Sequence, residues 1–270
     1  MSPARRRAEA LDALTLYEAC VTDAPAFVAF AAAVHGGSPR VLREDFSGSG
    51  AVARAWAASA PSRRSVAVDL DAAVLRRASG RGVRAVRGDA AACTVGADII
   101  TATNFPLGYF HGRDGLVAYL RRALACLRPG GVFIADTYGG SGAYRTGVTR
   151  RTVRLPGGGR VRYHWEQRSA DPASGRVVDA IHFDILGPRG RVVRRLRDAF
   201  VYDWRLWSLP ELRDAMGEAG MGTAEVYDRL GDALDSEGRL YVRPKPAGEP
   251  FEDDYVAYVV GRRGRTLAAR

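Results

Sequence analysis

Apolar residues in this chain fall into short blocks that alternate between two spacings. Val41-Leu42 ends an extended run, Ala51 to Ala60 has helical spacing, and Ser65 to Asp69 is extended again. The alternation continues with a helix over Ala72 to Ser79 and strands over Val83 to Val86 and Ala97 to Ala102. A helix over Leu116 to Leu127 follows, stopping at Arg128-Pro129-Gly130-Gly131, and then a near-continuous apolar strand from Val132 to Ala135. Strands alternating with helices predict an α/β fold, a doubly wound and mostly parallel sheet with helices on both faces. An amphipathic segment, Leu14 to Val34, precedes it.

The spacing changes after about Ser141. Arg160, Arg162, His164, Glu166 and Arg168 fall on one side of a strand, and Val161, Tyr163, Trp165 and Gln167 on the other. Strands over 148–155, 160–168, 176–186 and 192–202, separated by Gly- and Pro-containing turns, predict an antiparallel meander. Gly157-Gly158-Gly159 reads as one of those turns. Ser208-Leu-Pro-Glu211 then starts a helix with Pro just inside, which ends at Gly220, and Asp254 to Val260 gives a last strand. The expected organisation is a helical cap over 1–36, a core over 37–140 and 208–270, and an inserted antiparallel β lid over 141–207.

Ligands of such sheets bind beyond the carboxyl ends of the strands. Asp45, Asp69, Asp89, Asn104 and Asp136 all fall at or just past those ends. The first strand runs into Glu44-Asp45-Phe46-Ser47-Gly48-Ser49-Gly50, where glycines let backbone approach a ligand, and Asp69 is placed to accept hydrogen bonds from a ribose diol. Gly48-Ser-Gly50-Ala-Val-Ala53 also fits the dinucleotide pattern, which keeps an NAD(P)-dependent oxidoreductase as an alternative. Glu44 and Asp45 beside the turn disfavour an anionic pyrophosphate there and suit a cationic sulfonium with its ammonium. Tyr241 and Lys245 have the spacing of a short-chain dehydrogenase pair, but Pro244 and Pro246 forbid the helix that pair needs.

These residues resemble the class I S-adenosylmethionine-dependent methyltransferases. The matching pieces are Glu44-x-Phe-x-Gly48-x-Gly50, Val66-Ala-Val-Asp69-Leu-Asp71, Gly88-Asp89-Ala90, Thr103-Asn104-Phe105 and Leu127-Arg-Pro-Gly-Gly131, in order over about half the chain. The resemblance implies a seven-stranded Rossmann-like sheet and S-adenosyl-L-methionine as cofactor. It puts Gly48 and Gly50 along the methionyl part, Asp69 on the ribose and Asp89 on the adenine. It gathers Tyr17, Arg43, Glu44, Phe46, Leu70, Ala90 and Asn104 around them. Phe46 departs from the family by replacing the first glycine of the usual three.

Composition narrows the acceptor only loosely. The chain has 270 residues and a net charge of +10. Tyr144 to Arg197 holds thirteen arginines against four acids, and Lys245 is the only lysine. A basic lid fits an anionic small molecule, a nucleic-acid backbone or simply a solvated face. An RNA or protein methyltransferase therefore stays open beside a small-molecule enzyme acting on oxygen or nitrogen, as does a homodimer. Proton removal from the acceptor points to His111 or to His164 and Glu166 of the lid. Tyr109, Tyr138, Trp165, Trp204 and Trp207 are expected to wall the acceptor. Cys20, Cys93 and Cys126 form no metal-binding spacing, so no metal is expected. With no long apolar stretch, and with Arg5-Arg6-Arg7 followed by Glu9 and Asp12, the expectation is a cytoplasmic protein away from membranes.

Overall fold

In chain order the strands are β1 (Val41–Asp45), β2 (Arg64–Asp69), β3 (Val83–Arg87), β4 (Ala97–Ala102), β5 (Leu127–Gly140), β6 (Gly147–Arg154) and β7 (Arg160–Asp171). They continue with β8 (Arg176–Leu186), β9 (Val192–Arg205), β10 (Ala224–Tyr227), β11 (Ala233–Leu234), β12 (Leu240–Tyr241) and β13 (Asp254–Arg262). The helices are α1 (Ala13–Val21), α2 (Ala24–His35), α3 (Ala51–Ala58), α4 (Ala72–Leu75), α5 (Arg113–Cys126) and α6 (Leu209–Glu218). The structure is a computed structural model. It describes residues 11–156, 158–222, 224–234, 236 and 240–264, so Arg5-Arg6-Arg7, Glu9 and Gly157 lie outside the described residues.

The chain divides into two compact units, Ala24–Gly140 with Trp207–Arg270, and Met1–Asp23 with Ser141–Leu206. The first holds a seven-stranded sheet ordered β10-β13-β5-β4-β1-β2-β3. β5, β4, β1, β2 and β3 are parallel, and β13 lies antiparallel between β5 and β10. The order in which strands are added to the sheet reverses between β1 and β4, the switch point at which such sheets open a crevice. Both faces are covered. Leu42, Ile99, Val132 and Ile134 pack with Phe27 and Phe30 of α2 and Trp56 of α3, while Ile100, Ala102, Phe133 and Ala135 pack with Leu116, Tyr119 and Leu120 of α5 and Leu212 of α6. Burial on both sides is why Val132 to Ala135 of β5 reads as a continuous apolar run. Phe30 has no exposed surface, and burying such a side chain contributes roughly 1.5–3 kcal/mol.

Helix ends follow local chemistry. Asp71 accepts from the Ala73 amide and caps α4, which stops at Leu75, shorter than the expected run to Ser79. Ser208 and Glu211 form a reciprocal capping box on α6.

The second unit is the four-stranded antiparallel sheet β6-β7-β8-β9. Val161, Tyr163, Phe183 and Ile185 form its apolar face together with Leu16 and Cys20 of α1. Those two residues are why the N-terminal segment divides at Asp23 instead of forming one cap over 1–36: α1 completes the small sheet's core, and α2 belongs to the large one. In β8 and β9 the register runs from Ile181 opposite Phe200 to Phe183 opposite Leu196. Residues 197–199 therefore bulge opposite His182, with Asp198 at φ 48°.

Candidate active site at the strand ends

The turn after β1 is shaped by carboxylates. Glu44 is buried, and its Oε2 accepts the Ala53 amide at 2.7 Å, satisfying one of the free N–H groups at the start of α3. Gly50 has φ 69°, and a Cβ there would sit 2.6 Å from the Cβ of Ala78, so conformation and space both require glycine. Gly48 has φ 52° and only open space within 4 Å of where a Cβ would stand. On the opposite face of β1, Arg43 and Asp45 form a fully buried pair at 2.9 Å. Arg43 also donates to the Val95 carbonyl at 2.8 Å, and the Tyr119 hydroxyl donates to Asp45 at 3.0 Å. Burial pushes the Asp45 carboxyl up to about 6, against the pull of Arg43. The Arg43 side chain thus braces the strand from inside and presents no surface to a ligand.

Asp69 closes the turn from the next strand. Its Oδ2 accepts the Gly48 amide at 2.7 Å and its Oδ1 the Asp71 amide at 2.9 Å. Each carboxylate oxygen retains a lone pair for a further donor. Beside it Leu70 is 66% exposed, an apolar surface at the mouth of the sheet. Asp89 caps a short 3-10 turn by accepting from Ala91 at 2.8 Å; it is exposed, and Ala90 behind it is buried.

The loop after β4 is held more tightly. Asn104 and Phe105 both adopt left-handed backbone, at φ 69° and 65°. Their amides donate to Oδ2 and Oδ1 of Asp136 at 2.8 and 2.7 Å. Asp136 is buried in β5, and burial pushes its carboxyl up to about 6. Trp207 pins the next turn, its indole donating to the carbonyls of Leu107 at 3.2 Å and Phe110 at 3.1 Å. The Thr137 hydroxyl donates to the Trp207 carbonyl at 3.2 Å. Tyr138 meets Phe105 edge-on at 5.0 Å. Phe46, at φ 53°, packs on Tyr109, Phe110 and Tyr119 at 6.3, 6.1 and 5.6 Å. In this unit Glu44, Asp69 and Tyr138 lie in the last residues of β1, β2 and β5, and Phe46, Gly48, Gly50, Leu70, Asp89, Ala90, Asn104 and Tyr109 on the segments that follow strands. His111 is exposed just before α5.

Asp45 and Asp136, which the sequence places among the strand-end acids, and Trp207, expected in the acceptor wall, act as supports of the loops, as does Tyr119. A carboxylate ending an otherwise apolar strand marks Asp136 in the sequence, but its role in holding the Asn104 and Phe105 amides is visible only in the fold. A cavity of about 430 Å³ lined by Arg54, Arg64 and Arg81 lies at the opposite, amino-terminal ends of β2 and β3 and contains none of these residues.

In the small unit, Tyr17 meets Phe200 edge-on at 4.9 Å, and Trp165 lies 6.2 Å from Trp204, which stacks on Tyr202 at 4.2 Å. His164 points to the other face of β7, so it does not share a surface with Trp165 and Trp204. There it bonds Asp184 at 3.1 Å, and burial holds its pKa below the usual histidine value. On the same face Glu166, His182 and Asp198 have the spacing of a metal site. The Asp198 amide donates to His182 Nδ1 at 2.9 Å, which leaves the ring proton on Nε2, directed at Glu166 at 3.0 Å. Arg168 bridges Glu166 and Asp198, so the protein's own cation occupies the cluster. Among the described residues, no single helix is long and apolar enough to cross a membrane.

Neither a protein-family model nor a curated protein matches the sequence. Solved structures do match its fold. An S-adenosylmethionine-dependent methyltransferase from Clostridium acetobutylicum aligns over 93% of this chain and 97% of its own, at 15% identity and a TM-score of 0.68. An amino pentose methyltransferase of calicheamicin biosynthesis from Micromonospora echinaspora covers 93% and 95% at 18% identity and 0.65. A sugar N-methyltransferase from a Streptoalloteichus species covers 92% and 91% at 17% and 0.65. The chain has the Rossmann-like fold of class I S-adenosylmethionine-dependent methyltransferases, with an added antiparallel sheet.

Proposed function

We propose that this chain is an S-adenosylmethionine-dependent methyltransferase acting on an oxygen or nitrogen of a small-molecule acceptor, with a sugar as the favoured class. The observation that carries the reading is the turn at 44–50: open space over Gly48 beside an Asp69 with unused lone pairs, next to a helix end already neutralised by Glu44. A pyrophosphate at that helix would meet a buried carboxylate, which argues against a dinucleotide. The fit to S-adenosylmethionine is good: Asp69 would hold the ribose hydroxyls, Leu70 and Asp89 the adenine, and the backbone at Gly48 and Gly50 the methionyl part. When bound, the cofactor supplies a methyl group already activated on a cationic sulfonium.

The chain's own residues then have two tasks, alignment and proton removal. Alignment falls to the loop fixed by Asp136 and Trp207, which carries Asn104 and Tyr109. The acceptor's proton falls to His111, exposed on the same loop; His164 is committed to Asp184 within the small sheet. The two sugar methyltransferases match more than nine tenths of this chain, which supports a small acceptor over RNA or protein.

The test is parallel calorimetric titration with S-adenosylhomocysteine, NAD and NADP. Selective binding of the homocysteine compound upholds the reading. Binding of a dinucleotide alone refutes it.

A further inference from the structure

Asp136 is an unusual residue to find in β5. It follows a run of fully buried apolar residues, its carboxylate is held by amides, and no cation is among the groups that shift its titration. It also serves two consecutive residues in left-handed backbone, one of them a phenylalanine. A buried anion and a strained pair each cost stability, and such features persist where the surroundings over-determine them.

We propose that Asp136 is the positioning residue of the methyl-transfer site: by accepting both the Asn104 and the Phe105 amides, its carboxylate holds the β4 loop in the shape that binds cofactor. The inference rests on the methyltransferase reading above. A carboxylate is the one side chain that accepts at both oxygens without presenting a donor. An amide in its place puts an N–H against an N–H, and protonation of one oxygen does the same. The loop's shape is therefore coupled to the ionisation of Asp136.

Few titratable groups face it. From β13 the paired position is Tyr258, from its own strand Tyr138 lies two residues on, and the loop after β4 brings the Asn104 and Phe105 amides. α2 brings the apolar Phe27 and Phe30 against Tyr258. Asp45, also raised to about 6, lies on the opposite face of the sheet against Tyr119.

The experiment follows the ¹⁵N-labelled full chain by NMR from pH 5 to 8, alongside calorimetric titration with S-adenosylhomocysteine, for the wild type and Asp136→Asn. With Asp136 titrating at about 6, the binding-competent fraction falls about tenfold between pH 7 and pH 5, and affinity falls with it. The Asn104 and Phe105 amides move together with the same midpoint. Asp136→Asn binds at pH 7 about as weakly as the wild type at pH 5 and shows no acid limb. A variant with the wild type's affinity and pH profile overturns the proposal. If the wild type binds no S-adenosylhomocysteine, the methyltransferase reading fails. The brace is then decided by the amides: joint titration upholds it, and pH-invariant amides overturn it. Should Asp136→Asn fail to fold, the wild type's own profiles decide in the same way.

Discussion

Replacing Asp69 by alanine separates its two jobs, closing the turn and holding ligand. Two backbone amides lose a charged acceptor, Gly48 at 2.7 Å and Asp71 at 2.9 Å. Hydrogen bonds to charged groups contribute roughly 1.5–3 kcal/mol each, but Asp69 is only half-buried and water replaces much of that. The expected loss of folding stability is thus about 1–2 kcal/mol for the pair. If the remaining lone pairs also accept ribose hydroxyls, affinity for S-adenosylhomocysteine falls by a further ~1–3 kcal/mol, or about 5- to 150-fold. Asp71→Ala is the control. It removes a carboxylate two residues away that only caps the four-residue α4, costing about 0.5–1 kcal/mol in stability and leaving affinity unchanged. Urea denaturation gives the stability change, and calorimetry the affinity. Asp69→Ala binding within twofold of the wild type, or Asp71→Ala losing as much affinity as Asp69→Ala, would refute the argument.

Gly50→Ala forces a left-handed alanine against Ala78 and is expected to destabilise the fold by about 2–4 kcal/mol, seen in urea denaturation; a loss under 1 kcal/mol would mean the turn relaxes freely. Asp136 is raised from 3.8 to about 6 in the fold, so its contribution to stability is full below about pH 4 and is lost as pH rises to about 6. Its share of that fall is about 3 kcal/mol, and stability measured from pH 4 to 7 should lose that share in Asp136→Asn while keeping the like-signed part from Asp45. His111→Gln leaves S-adenosylhomocysteine affinity unchanged and lowers turnover of an identified acceptor by roughly 10²-fold or more; unaltered turnover removes His111 as the base.

The parallel core was readable because strand segments covered on both faces are predominantly apolar, as Val132 to Ala135 of β5 are. The glycine turn and its acids were readable because their spacing is local. Asp71 as a helix cap follows from one side chain reaching two residues along. Asp136 is different: its partners lie 31 and 32 residues away, and although Asn tolerates left-handed backbone, nothing about Phe105 announces it. The pairing of Arg43 with Asp45 is two residues apart on one strand, yet its burial depends on α5 supplying Tyr119. Alternation along β7 already separates His164 from Trp165, so the opposite faces they occupy were available from the spacing. The division of the N-terminus at Asp23 was not, because α1 and α2 are both apolar and only their tertiary partners distinguish them.

The bulge in β9 has a consequence for how the chain tolerates changes in length. Between Ile181 and Phe183 the partner strand advances four residues, from Phe200 back to Leu196, where an unbroken ladder would advance two. The surplus is even, so Leu196, Phe200, Tyr202 and Trp204 keep the same facing on both sides of the irregularity. Removing two residues from 197–199 would preserve that parity and leave the inward set inward. Removing one would turn Leu196 to the opposite face and bring Arg195 inward in its place. At this edge the sheet should accept indels in pairs and reject them singly.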